Sequence, residues 1–167
     1  MVVTKPKVYL ETSLYGWVFD TSDLDLHYWT QQLFAAVKQD RFIPYASEYV
    51  IRELEATRQQ PKRDNMLALI GQYAIEVLPD SEEVDRLAAI YIAKGITPPS
   101  KVDDAFHIAT ASVYGLSTIA SYNFEHIAKK HKKTRITHVA AINNINAQEN
   151  HQPIRILTPE EILYAHP

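Results

Sequence analysis

Three carboxylates in this chain stand where an acid needs a reason. Glu11 directly follows the apolar run Lys7–Leu10, so it is expected to be partly buried, and a buried carboxylate is costly unless something pairs with it. Glu53 lies four and three residues after Tyr49 and Val50 on a helical pattern, which turns it inward as well. Asp104 stands in the first turn of a helical pattern that His107, Ile108 and Ala111 continue on the same side. If the three met, each pair at ~4 Å would repel by roughly 4 kcal/mol at an effective dielectric of about 20, so a cation would have to hold them. Mg²⁺ or Mn²⁺ suits such a site, because it takes carboxylates, waters and phosphate oxygens and supports phosphodiester hydrolysis without a nucleophilic side chain. Spacing alone does not bring residues 11, 53 and 104 together.

Other chemistries are disfavoured. There is no cysteine, hence no disulfide, thiolate metal site or thiol nucleophile, which points to a cytosolic protein. The four glycines, at 16, 71, 95 and 115, are too far apart for a Walker loop or a dinucleotide fingerprint. None of the seven histidines forms an HExxH or comparable spacing, so zinc catalysis has little support. A net charge of −3 is not that of a protein that coats nucleic acid, so any nucleic-acid contact must come from a local patch. The longest apolar run, Leu87–Ala93, is seven residues, too short for a membrane span, and Met1–Lys7 has no signal-peptide pattern.

The elements that must position these groups read as one domain over residues 1–167, with no repeat or low-complexity linker. Short β-prone runs occur at Lys7–Leu10, Phe42–Tyr45, Ala74–Leu78, Ser117–Ser121 and Pro153–Leu157, with Pro44 weakening the second or pushing it to an edge. Helical stripes fall at Asp23–Gln39, Glu48–Arg58 and Asp64–Tyr73. Two more follow, one opened by Asp80 with Glu83 and one by Ser100 with Asp103. Alternation of this kind predicts a mostly parallel sheet covered on both faces, with a site beyond the carboxyl ends of the strands. Glu11, Thr12, Ser13, Tyr122 and Asn123 fall there.

The segments VYLETS at 8–13, SEYVIREL at 47–54, DDAFHIATA at 103–111 and SYNFEHI at 121–127 together resemble a PIN domain, most closely the VapC-type toxin ribonucleases. RILTPEEIL at 155–163 is similar to that family's usual ending, and DAFHIATA followed by a strand and NFEHI is the most specific part. The resemblance implies a three-layer α/β/α sandwich around a central, mostly parallel five-stranded sheet. It also implies RNA cleavage with Mg²⁺ or Mn²⁺, a cognate antitoxin protein and a homodimer. Carried over by position, it makes Glu11, Glu53 and Asp104 the metal-binding acids and adds Asn123 as the fourth catalytic position. The chain departs from the family twice. Glu11 stands where most members have Asp, and Asn123 brings no charge to the fourth acidic position, which puts a second metal ion in doubt.

Plainer roles compete for several of these residues. Asp103 fits an N3 capping residue, Asn123 a helix N-cap, and Thr12 and Ser13 turn hydroxyls. Glu53 fits a solvated helix face paired with Arg52 or with the cations at 58–63. His107 and His126 fit packed, hydrogen-bonded histidines. The run Lys129, Lys130, Lys132, Lys133 and Arg135 is either a solvated face or a contact for RNA or an acidic partner. Tyr15, Trp17 and Phe19 alternate, and an exposed aromatic strip of that kind would suit an antitoxin segment, with Trp17 better read as core. The functional alternatives are a catalytically inactive PIN-like module that binds RNA or protein and a phosphoacceptor receiver domain. The second is disfavoured because Asp103 and Asp104 open a late helix instead of following the first strand.

Overall fold

The computed structural model describes residues 4–123, 127 and 132–167. It begins with β1 (Lys7–Leu10), α1 (Ser13–Trp17), α2 (Leu24–Lys38), β2 (Ile43–Ser47), α3 (Glu48–Glu55) and α4 (Gln60–Gln72). It continues through β3 (Glu76–Leu78), α5 (Glu82–Ala93), a 3₁₀ turn at Pro99–Lys101, α6 (Val102–Val113) and β4 (Thr118–Ala120). The last elements are α7 (Lys132–Gln148), β5 (Arg155–Leu157) and α8 (Pro159–Ala165).

Among the described residues the strands form one sheet in the order β3-β2-β1-β4-β5, and every neighbouring pair is parallel. Helical crossovers are the economical way to join parallel strands, and they bury both faces of the sheet. Val8, Tyr9 and Leu10 on β1 and Ile119 and Ala120 on β4 are accordingly buried without alternation. The fold is the expected α/β/α sandwich with a five-stranded central sheet. The strand order sets β1 at the centre with β4 beside it, Tyr9 level with Ile119 and Leu10 with Ala120.

Several local expectations need correction. Pro44 lies in an internal strand, not at an edge. The Ile43 amide bonds toward β1, on Pro6, so alternation turns the amide-less position 44 toward β3, and β3 pairing starts only at Tyr45. Ala74 is a turn residue with φ 49°, which leaves β3 to begin at Glu76. The cap of α5 is Ser81, whose side chain accepts from the Val84 amide, one residue after the expected Asp80. Ser100 falls in the 3₁₀ turn, α6 has no side-chain cap, and Asp103 is exposed, so its capping role is withdrawn. α4 starts four residues before the predicted Asp64, with Pro61 in its first turn, where a missing amide costs nothing.

The alternating aromatics are not a strip. Tyr15 and Trp17 lie on the short helix α1, with Tyr15 fully buried and Trp17 half-buried, while Phe19 is 46% exposed. Residues 129–131 of the basic run and His126 lie outside the described residues. Of the rest, Lys133 is exposed, whereas Arg135 is largely buried in a two-pronged ion pair with Glu161 and is committed to joining α7 to α8.

Candidate active site

The carboxyl end of β1 delivers Glu11 and the carboxyl end of β4 delivers Ser121, Tyr122 and Asn123. These two chain ends are in contact, since the Glu11 amide donates to the Ala120 carbonyl at 3.1 Å. Glu11 is 3% exposed, and burial of that kind needs donors. Its Oε2 receives three: the Ser13 amide at 3.2 Å, the Ser13 hydroxyl, and the Ser121 hydroxyl at 2.8 Å. Ser13 Oγ in turn accepts from the Tyr122 amide at 2.9 Å, and Ser121 Oγ from the Asn123 amide at 2.9 Å. Ser13 is thus neither a simple turn hydroxyl nor free for solvent. It clamps the β1 end to the β4 end.

On the other side of β1, the run β2–α3 turns at Ser47, whose hydroxyl caps α3 through the Val50 amide, and α3 then carries Glu53 back over the sheet edge. Glu53 does not pair with Arg52, which faces Glu48 at 3.7 Å. Its Oε1 receives the Thr12 hydroxyl at 3.0 Å and forms an ion pair with His107 Nε2. Burial pushes the Glu53 carboxyl up, but the histidine bond, the histidine charge and the Thr12 hydroxyl outweigh it and hold the group below the usual glutamate range.

His107 is fully buried on α6, one turn after Asp104. Burial pulls its imidazole down. The bond to Glu53 and the negative charges of Glu11, Glu53 and Asp104 pull it the other way and prevail. His107 Nδ1 is 2.6 Å from the Tyr9 hydroxyl, which also meets Ser47 Oγ at 2.7 Å, so Ser47, Tyr9, His107, Glu53 and Thr12 form one chain of hydrogen bonds. Asp104 is 8% exposed and accepts from Asn123 Nδ2 at 2.9 Å.

The structure therefore brings Glu11, Glu53, Asp104 and Asn123 to one rim of the sheet, linked through Ser121 on one side and through His107 and Thr12 on the other. Among the described residues no lysine or arginine forms an ion pair with Glu11 or Glu53, and no three His, Cys, Asp or Glu side chains form a group placed to hold a metal ion by themselves. The donor set is hard: carboxylate oxygens, hydroxyls and an amide carbonyl, without sulfur, which fits Mg²⁺ or Mn²⁺ in an open site completed by water and substrate. Beside it lies a cleft of about 340 Å³ lined by Thr12, Ser13, Trp17, Glu53 and Lys62.

Tyr9 and Ser121 are the residues that motif reasoning missed. Tyr9 precedes Glu11 by two, the strand period that puts both on one face, and Ser121 ends the fourth β-prone run.

A parallel sheet with acids at its carboxyl rim defines an α/β/α protein whose site is built between crossovers. The chain belongs to the PIN-domain family, whose model matches residues 8–133. Among solved structures it is similar to the crystal structure of Mycobacterium tuberculosis VapC20, described as a sarcin-ricin loop cleaving toxin. The likeness has a TM-score of 0.56 at 13% identity and covers 74% of this chain and 95% of that one. No curated protein matches the chain. Among the described residues no helix is long and apolar enough to cross a membrane.

Proposed function

We propose that this protein is a metal-dependent endoribonuclease and the toxin of a type II toxin–antitoxin pair, acting in the cytoplasm as a homodimer held in check by a cognate antitoxin protein. The observation that carries this reading is the linkage of the acids at the carboxyl rim of a PIN-family sheet, Glu11 through Ser121 and Asn123 to Asp104, and Glu53 to His107 one turn along the same helix. The structural likeness to a sarcin-ricin loop cleaving toxin supports the choice of substrate.

Glu11, Asp104 and Glu53 are the residues that would hold Mg²⁺ or Mn²⁺. Bound there, the ion supplies charge neutralisation at the scissile phosphate and acidifies the attacking water. Ser13 and Ser121 hold Oε2 of Glu11, which aims its carboxylate from the end of β1. Asn123 holds Asp104 Oδ1 and brings a neutral amide to the rim in place of a fourth charge. His107 and Thr12 occupy Oε1 of Glu53 and keep that carboxylate ionised. Attack by water, with the ribose 2′-hydroxyl left uninvolved, yields a 5′-phosphate and a 3′-hydroxyl.

The test is cleavage of a defined RNA by highly purified protein. Activity should vanish in EDTA, return with Mn²⁺ or Mg²⁺, and be abolished by Asp104→Asn. The engagement of Glu53 by His107 favours one other reading, a PIN module that binds without turnover. Cleavage-free RNA binding together with an absence of measurable Mn²⁺ binding would establish it instead.

A further inference from the structure

The cleft beside the acids does not end at Glu53. It continues into a second, larger hollow of about 530 Å³, and the two share Gly16, Asp20 and Lys62. The result is one trough that runs from Thr12 and Glu53 out to Phe19, Gln59 and Asn65. Each hollow falls in the size range of pockets that take small organic groups, about 300–1,000 Å³.

The lining has an unusual combination of chemistries. Phe19 is 46% exposed at the outer end, one of three exposed aromatics among the described residues with Tyr28 and Tyr164, and the one that lines this trough. Lys62 brings an ammonium to the stretch common to both hollows, and Asp20, whose carboxyl is held down chiefly by the Ser22 amide and hydroxyl, also feels that positive charge. Gln59 and Asn65 each offer an amide donor and an amide acceptor. Gly16 lies on the floor, and a methyl group there would only touch Met66 Sδ at 3.9 Å, so the absence of a side chain widens the trough without being required by packing.

A stacking face, a cation and two-way amides are the groups that take an unpaired nucleotide: base on aromatic ring, phosphate on lysine, base edge on amides. From this we infer that the trough is a nucleotide subsite, in which an unstacked base of the RNA flanking the scissile phosphate packs on Phe19 while the adjoining phosphate is held by Lys62. The inference rests on the RNA-cleaving function proposed above and adds to it where the substrate lies. Continuity with the acid rim and the positive charge of Lys62 favour RNA over a protein segment as the occupant.

The experiment is fluorescence anisotropy with a short fluorescein-labelled single-stranded RNA in EDTA, repeated over a salt series, with circular dichroism to verify folding. Phe19→Ala should weaken binding about 5- to 150-fold, the range of one lost base stack, and Phe19→Trp should restore it. Lys62→Gln should reduce the slope of log K against log salt by about 0.7, the contribution of one phosphate on a single strand. Wild-type affinity in both Phe19→Ala and Lys62→Gln overturns the inference. So does wild-type RNA affinity in Phe19→Leu, which keeps bulk without a ring. Because the assay contains no free metal and measures no turnover, Phe19-dependent RNA binding by a protein that never cleaves would sustain the subsite while removing the ribonuclease reading.

Discussion

Asn123 Nδ2 donates to Asp104 Oδ1 at 2.9 Å, so the end of β4 and the first turn of α6 are joined by a neutral amide at the position where the family pattern has a fourth acid. The amide contributes a charge-assisted bond where a carboxylate would contribute repulsion.

Asn123→Asp should therefore destabilise the metal-free protein by about 2 kcal/mol, by exchanging that bond for two like charges at close range. Added Mn²⁺ should recover the loss, because an ion that binds the folded form offsets it by mass action. Thermal unfolding with and without Mn²⁺ checks this: the variant should gain more from the metal than the wild type does.

Tyr9→Phe should cost about 1–3 kcal/mol, since His107 Nδ1 loses its partner in a fully buried place while Ser47 keeps its bond to the Val50 amide. Urea unfolding measures the cost. The double variant with Glu53→Gln should be non-additive, because both changes end on the same ring.

Ser121→Ala removes one of three donors to Glu11 Oε2 and should lower stability by about 1–2 kcal/mol. Isothermal titration should also show weaker Mn²⁺ binding, since Glu11 then loses part of its aim. Unchanged affinity would mean that Ser13 alone orients the acid.

Acid stability should depend on Glu161. Burial pushes its carboxyl up, but Arg135 and the Thr158 cap outweigh burial and hold it below the usual range. A depressed folded value means that the stabilisation is complete above the ordinary glutamate value of about 4.3 and disappears as pH falls through the lower folded one. Glu161→Gln should thus flatten the acid limb of a stability–pH curve between about pH 4.3 and the acid end, leaving a smaller constant stability at neutral pH.

The layer architecture was legible in the sequence because alternation of short apolar runs with helical stripes admits few arrangements, and the same alternation pointed to Glu11 and Asn123 as residues at strand mouths. Pro44 misled because its effect depends on which side of β2 its missing amide faces, and that is set by where β3 begins to pair, far along the chain. Helix starts were misplaced where two candidate caps stood together, as at Asp80 and Ser81. His107 was read as a packed, hydrogen-bonded histidine, and it is one. Its partners were hidden because Tyr9 and Glu53 reach it over 98 and 54 positions of sequence. The metal-binding roles proposed for Glu11, Glu53 and Asp104 rest on resemblance, since only the assembled sheet brings such distant positions to one rim.

The pairing of β1 with β4 sets a schedule for the growing chain. Glu11 emerges almost at once, yet its clamp is Ser121 and the partner of Asp104 is Asn123, both of which follow the strand that must dock beside β1. A ribosome still short of β4 carries every acid of the cluster with no scaffold to gather them. Assembly of the acid rim is thereby deferred until most of the polypeptide has been translated, so whatever the rim does, a nascent chain cannot do it early.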